Sequence, residues 1–441
     1  MTEAETGPVN PVDRRMALAR EWDRLVEQVR EMPDFRDFLR PPRLETLLPA
    51  AAGGPVVIVN VSRWRCDALI VTTRDARNLP LPGLTLDRAT EQANLYLRTL
   101  QEAERAGQEH QSAAEAAQAE PGPAAVRAQR RAAQALIDAE QRTDEMLQEL
   151  QQWLWEAVAA PVLQELGMTG RPAPEAPWPR LWWCPTGPLT LLPLHSAGHH
   201  GTRDDRVPLT VLDRAVCSYT PTLRALLEAR TDRRAPGEPG AVAEDRFLLV
   251  AVEDAPGQVP LDGVTEELDV LARLLPPEPL TVLRGAAATR RTVGDELARH
   301  SWVHFSCHGD QDLTEPSRGG LLLHDGMLTI GDISARHHRA EFAGLSACKT
   351  AVGGVHLLDE TITLAAALHY TGYRHVVAAL WSVDQEAAAE VFTALYGELV
   401  TEDGRLRPQG AACALHDAVR TLRDAFPGEP RLWTPFAHIG P

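Results

Sequence analysis

Between residues 301 and 350 the chain carries two apolar runs of similar make-up, and each ends in a side chain able to do chemistry. The first, Ser301-Trp-Val-His-Phe-Ser-Cys-His-Gly-Asp310, leads to His308; the second, Phe342-Ala-Gly-Leu345, feeds Ser346-Ala-Cys348-Lys-Thr350. Short apolar runs bounded by polar loops read as strands buried on both faces, the kind that parallel sheets contain. Residues 246–254 and 281–283 read as two more such strands. Helical patterns follow them at 263–275, with Leu268, Leu271, Leu274 and Leu275 inward, and at 292–299. Strand alternating with helix at this spacing predicts a parallel sheet covered on both faces. In open α/β sheets ligands bind beyond the carboxyl ends of the strands, where His308 and Cys348 both fall.

Those residue types in that place point to nucleophilic catalysis. A thiol becomes a competent nucleophile when a neighbouring imidazole takes its proton, and the same imidazole can return it to a leaving amine. Gly309 lets a substrate carbonyl approach the backbone, and its N–H with that of Cys348 can form an oxyanion hole. No third member of a triad is assignable; Asp310 and Asp312 are near in sequence only.

The motifs around these two residues resemble those of the CHAT proteases, caspase-like cysteine peptidases of bacteria related to caspases and separase. His308-Gly309 and Leu345-Ser-Ala-Cys-Lys-Thr350 resemble the family's signature segments. Residues 181–194 resemble its opening strand-turn-strand, 212–221 the strand that follows, and 361–384 the helix and strand after the cysteine. Trp433-Thr-Pro-Phe436 resembles the closing motif. The resemblance covers roughly residues 150–441. It implies a caspase-like parallel-sheet α/β/α sandwich and a cysteine endopeptidase acting on a protein substrate. It also implies a specificity pocket lined by Ser346, by Glu253 and Asp254 after the first strand, and by Trp381, Ser382 and Asp384 opposite. Asp359 and Glu360 open the helix after the Gly353-Gly354 loop; if they face the pocket, a basic P1 residue is preferred. Activation by a partner, in bacterial defence against viruses or regulated cell death, follows from the family alone. The alternative is a catalytically silent scaffold.

Ahead of this domain the sequence predicts a small α+β accessory lobe over residues 1–83. It holds an amphipathic helix at 16–39 and a strand pair at 55–62 and 66–72 joined around Arg63-Trp64-Arg65. Residues 84–167 turn helical and rich in Ala, Gln and Glu, broken at Glu120-Pro-Gly-Pro123, which reads as a long helical hairpin. Leu97, Leu100 and Ala103 form one inward stripe and Leu136, Ile137, Met146 and Leu150 the other. The hairpin's exposed end offers a docking place for a regulatory or sensor protein. Residues 168–441 form the CHAT domain.

Several classes are disfavoured. A net charge of −17 opposes non-specific nucleic-acid binding. There is no apolar run long enough to span a bilayer and no Gly-rich phosphate loop. Six scattered cysteines without a CxxC pair read as reduced thiols in a cytoplasmic protein. No cofactor is expected. His304, Cys307 and His308 do not converge as metal ligands on a strand, so no metal is expected either. His195, His199, His200 and the His337-His338 pair read as solvated loop residues.

Overall fold

A computed structural model describes residues 11–36, 38–231, 246–255, 260–261, 263–275, 280–310, 316–335, 340–346, 364–381, 383–401 and 405–441. The chain divides into two compact units, Met1–Pro49 and Ala50–Pro441. In the first, helix α1 (Pro11–Arg30) stops well short of residue 39, and a short helix α2 (Leu44–Leu47) follows. Pro33 explains the early stop: a proline pushes the preceding residue out of the helical region, and Met32 is extended at φ −71°, ψ 138°.

The second unit is built on one sheet. Strands β1 (Val56–Asn60), β2 (Asp67–Val71) and β3 (Ala76–Pro80) form an antiparallel meander. Helices α3 (Leu86–Ala119) and α4 (Pro123–Leu154) make the expected hairpin, turning at Glu120-Pro-Gly-Pro123. A single π turn at Trp155–Ala159 carries α4 into α5 (Ala160–Glu165). Then come β4 (Arg180–Pro185), β5 (Val216–Tyr219) and α6 (Leu223–Arg230). The expected second strand of the 181–194 segment is instead a pair of 3-10 turns, Gly187–Leu191 and Leu194–Ser196.

The doubly wound half begins with β6 (Phe247–Ala251), α7 (Val264–Leu274), β7 (Leu280–Arg284), α8 (Arg290–Leu297) and β8 (Trp302–Ser306). A small sheet of β9 (Gly309–Asp310), β10 (Gly320–Leu323) and β11 (Gly326–Thr329) follows, with α9 (Ile330–Ser334) behind it. The chain closes with β12 (Ala340–Leu345), α10 (Leu364–Thr371), β13 (Tyr373–Ala379), α11 (Gln385–Leu399), α12 (Ala411–Ala425), α13 (Pro430–Trp433) and β14 (Phe436–Ile439).

Among the described residues the main sheet has eleven strands in the order β3-β2-β1-β4-β5-β14-β13-β12-β8-β6-β7. Beyond the antiparallel β3 and β2 at one edge, it consists of two parallel blocks, β1-β4-β5-β14 and β13-β12-β8-β6-β7, which meet antiparallel at β14 and β13. The strands expected to make a separate lobe are therefore continuous with the main sheet, because β1 pairs parallel with β4, Val56 opposite Trp182. In the second block α7, α11 and α12 cover one face, while α8, α9 and α10 cover the other. Every residue of β6 and β8 is buried, as strands covered on both faces must be. The hairpin is buried only near its base. Tyr96, Leu97, Met146 and Leu150 pack on the first block, while Ile137, expected inward, is exposed.

A buried ion cluster ties the loop before β5 to α12. Asp213 is fully buried; its carboxylate accepts from Arg423 at 2.8 and 3.2 Å, from Arg171 at 2.9 Å and from Thr210 at 2.6 Å. Burial pushes its pKa up, but the hydrogen bonds and charge of Arg423, with Thr210 and Arg171, outweigh this and hold it at about 2. Arg423→Met leaves that carboxylate short of its main partner and should destabilise the fold by about 3 kcal/mol. Urea unfolding at neutral pH measures this; an unchanged midpoint would show the cluster to be neutral.

Candidate active site

Three aromatic side chains set the level at which the central strands end. Phe247, Trp302 and Phe342 lie opposite one another on β6, β8 and β12. The Trp302 ring stacks on both neighbours, with centroids 5.8 Å from Phe247 and 4.9 Å from Phe342. Cross-strand aromatic stacks are worth about 1 kcal/mol each beyond the area they bury, and they oppose slippage of register. In sequence, Glu253, His308 and Cys348 each come six residues after one of these rings. Chain order reverses at β6, whose neighbours are β7 on one side and β8 on the other. Such a switch point is where open α/β sheets bind ligands.

His308 and Ser346 leave the carboxyl ends of adjacent parallel strands. The Ser346 N–H donates to the Phe305 carbonyl at 3.0 Å, and Leu345 lies opposite Phe305. His308 is half-buried, and its carbonyl accepts from the Leu322 N–H at 2.8 Å. Gly309 then enters the small sheet, paired with Leu321. Cys348 lies outside the described residues, as do Asp312, His337, His338, Lys349, Asp359, Glu360 and Ser382. Glu253 and Asp254 are exposed at the β6 exit, and Glu253 accepts from the Thr265 hydroxyl at 3.1 Å. Asp384 caps α11, accepting from the Ala387 N–H at 3.0 Å. Trp381 is buried, its ring edge-on to Tyr96 of α3 at 5.7 Å. Fifteen residues along α3, the Gln111 amide donates to the Pro260 carbonyl at 3.3 Å, in the connection from β6 to α7. Helix α3 thus touches the chain beyond both β13 and β6, the strands that flank β12 and β8.

All but one of the described thiols are shielded from solvent. Burial pushes Cys184 and Cys217 up to about 12, so neither is a thiolate near neutral pH. Cys66 and Cys307 are buried, and Cys413 on α12 is exposed. Cys307 packs into the core on the α8 and α10 side, while the His304 ring turns to the opposite face. Among the described residues no group of three His, Cys, Asp or Glu side chains is placed to hold a metal.

Two features were not read from the sequence. His195 and His200, taken as solvated, are buried and half-buried: the 3-10 turns fold them against Tyr219 and Trp433. Glu267 is buried at the candidate site with its carboxylate on Ser306 and Ser346. Its signal was present, because Val264, Glu267, Leu268 and Leu271 make one inward stripe with a carboxylate in it.

The sequence pattern that defines the CHAT domain matches residues 148–441, well over half of the chain. The chain belongs to the CHAT family. The fold of this CHAT protein is similar to separase in the Saccharomyces cerevisiae separase–securin complex. There the TM-score is 0.57 at 10% identity, over 90% of this chain and 31% of that one. A second structure of that complex gives the same TM-score over 30% of its chain, so the CHAT protein spans about a third of separase. The Arg-specific cysteine proteinase gingipain R aligns with a TM-score of 0.44 and 12% identity, over 64% of this chain and 67% of that one. The likeness to separase gives the CHAT protein the caspase-like α/β fold. No curated protein matches it in sequence. Among the described residues no helix is long and apolar enough to cross a membrane.

Proposed function

We propose that this CHAT protein is a cysteine endopeptidase of the cytoplasm, with Cys348 as nucleophile and His308 as general acid and base. The observation that carries the reading is the pairing of β8 with β12 in parallel, side by side, with His308 just past one end and Ser346 just past the other. One residue separates Ser346 from Cys348, so the thiol follows two positions after the end of the strand beside the imidazole's. Once His308 has taken the thiol proton, the thiolate attacks the scissile carbonyl. The N–H groups of Gly309 and Cys348 hold the developing oxyanion, and His308 protonates the leaving amine. Ser346, Glu253, Asp254, Asp359, Glu360, Trp381, Ser382 and Asp384 are the residues for the substrate side chain. No metal or other cofactor enters this chemistry.

Control by a protein partner gripping the hairpin belongs to the same reading, as part of a bacterial defence or cell-death response. What supports it is the path of α3, in contact with Trp381 at one point and with Pro260 at another. A partner bound at the hairpin turn would act on both flanks of the cleft. The separase of the structural comparison is itself seen with a protein bound, securin.

A thiol-reactive peptide probe tests the enzyme against the silent scaffold. Mass spectrometry should find label on Cys348, lost in Cys348→Ala and reduced at least about tenfold in His308→Ala. Exposed Cys413 serves as the internal reference, since its alkylation should ignore His308. Equal rates at the two cysteines, both blind to His308→Ala, would leave the scaffold.

A further inference from the structure

The three strand ends at the candidate site are tied to one another through the first turns of α7. Thr265 donates to Glu253 beyond β6, as described above. Glu267, two residues further along α7 and 6% exposed, accepts from the Ser306 hydroxyl at the end of β8, and the Ser346 hydroxyl beyond β12 lies close enough to the same carboxylate to help lower its pKa. Each serine is two residues short of a proposed catalytic group. The backbone bond from Ser346 to Phe305 lies at the last row of pairing between the two strands among the described residues, so the carboxylate sits at the place where they part.

The rest of the environment is built around this carboxylate. His304 Nε2 lies 3.2 Å from Glu267 Oε1, off the line of a well-formed hydrogen bond. His304 Nδ1 faces the Tyr396 hydroxyl of α11 at 3.0 Å. Gly344 on β12 makes room for that pair. A Cβ there would lie 2.5 Å from the tyrosine oxygen and 2.8 Å from Nδ1. Burial pushes the Glu267 pKa up, but His304 and the hydroxyls of Ser306 and Ser346 outweigh it and keep the group below its ordinary value. Its place in the first turn of α7 adds the favourable end of the helix dipole. A leucine at this inward position would avoid the desolvation penalty of a buried ion, which is several kcal/mol. A charge kept here, at the junction of two strand ends, calls for a reason other than core packing.

We propose that Glu267 is a positioning residue for the peptidase pair. By holding Ser306 and Ser346 on one carboxylate, it locks the exits of β8 and β12 together and fixes where His308 and the Cys348 segment leave the sheet. The inference rests on the cysteine-peptidase reading and extends it to a residue that touches neither substrate nor reacting atoms. Rate is sensitive to such support, since a misplacement of about 1 Å can cost about 100-fold.

The test uses the full chain, with Glu267→Gln and Ser306→Ala compared with the wild type. Readouts are kcat and KM on a peptide substrate, the pH dependence of Cys348 alkylation, and the urea midpoint. Glu267→Gln should lower kcat by about 10- to 100-fold, with KM within about threefold, and should displace the alkylation profile. Ser306→Ala, which removes one arm of the bridge, should lower kcat by about 3- to 10-fold. A loss confined to the urea midpoint, with kcat and the alkylation profile unchanged, makes Glu267 a core residue only and overturns the proposal. If Glu267→Gln does not fold, Ser306→Ala decides by the same criterion. A wild type whose Cys348 alkylation is blind to His308→Ala overturns this proposal together with the peptidase reading. His308-dependent alkylation that neither variant alters overturns this proposal alone.

Discussion

Replacing Cys348 by alanine should lower peptide turnover by about 10⁴- to 10⁶-fold, the loss seen when a nucleophile that works as a unit with its base is removed. His308→Ala should cost less at neutral pH, about 10³-fold. A free cysteine is already a few per cent thiolate there and remains an intrinsically strong nucleophile. The two variants should differ in pH dependence. Without the imidazole the thiolate must form by itself, so residual activity of His308→Ala should climb with pH toward the ordinary thiol value of about 8.5. Cys348→Ala has no such recovery. The double variant should be no worse than Cys348→Ala, because the base has nothing left to activate. Turnover of Cys348→Ala within tenfold of wild type would remove the thiol from the mechanism, whatever the fold.

The strands that carry this pair were legible because burial on both faces leaves a run of apolar residues, as in β6 and β8, with no polar face to confuse the pattern. Their levels were legible too, though only in retrospect: Phe247, Trp302 and Phe342 stand at a constant distance from three functional candidates. Partners distant in sequence were not legible. Nothing in residues 56–60 announces a parallel neighbour at 182–185, so β1 to β3 read as a lobe of their own. The edge strand β3 is mostly exposed and shows no apolar alternation. The hairpin of β10 and β11 carried a usable sign in Asp325-Gly326, where Gly326 takes φ +125° at the turn. At the site, Glu267 hid inside an amphipathic pattern whose leucines were read and whose carboxylate was not. Single histidines were harder still, because the turns that bury His195 are made by contacts from Tyr219 and Thr434.

Those buried histidines should make the fold acid-labile well above the pH at which carboxylates usually protonate. Burial is the main cause in each case: it lowers His195 to about 4 and His375 and His416 to about 3, and it holds His438 well below its ordinary value. The hydrogen bonds oppose a second ring proton. His195 Nε2 must donate to the Thr434 carbonyl at 3.0 Å, which leaves Nδ1 to accept from the Tyr219 hydroxyl at 2.9 Å. Arg180 donates to the Ser218 hydroxyl, which pairs with His438 Nδ1 at 2.8 Å, and His438 Nε2 faces His375 Nδ1 at 3.0 Å, where one ring nitrogen must donate and the other accept. A proton added to that chain sets two N–H groups face to face. Because the folded values lie below the unfolded one of about 6.5, the neutral rings contribute stability that is complete above it and is lost as pH falls. At pH 5.5 each of His195, His375 and His416 forfeits about 1 kcal/mol, a few kcal/mol together, against a typical total of about 5–15 kcal/mol. Urea midpoints taken from pH 7.5 down to 5 should therefore fall steeply below pH 6.5. His375→Gln, which removes one of the proton acceptors, should flatten that slope by about one proton. A midpoint level to pH 5 would mean that the interior accepts these protons, and the assigned hydrogen-bond directions would have to be abandoned.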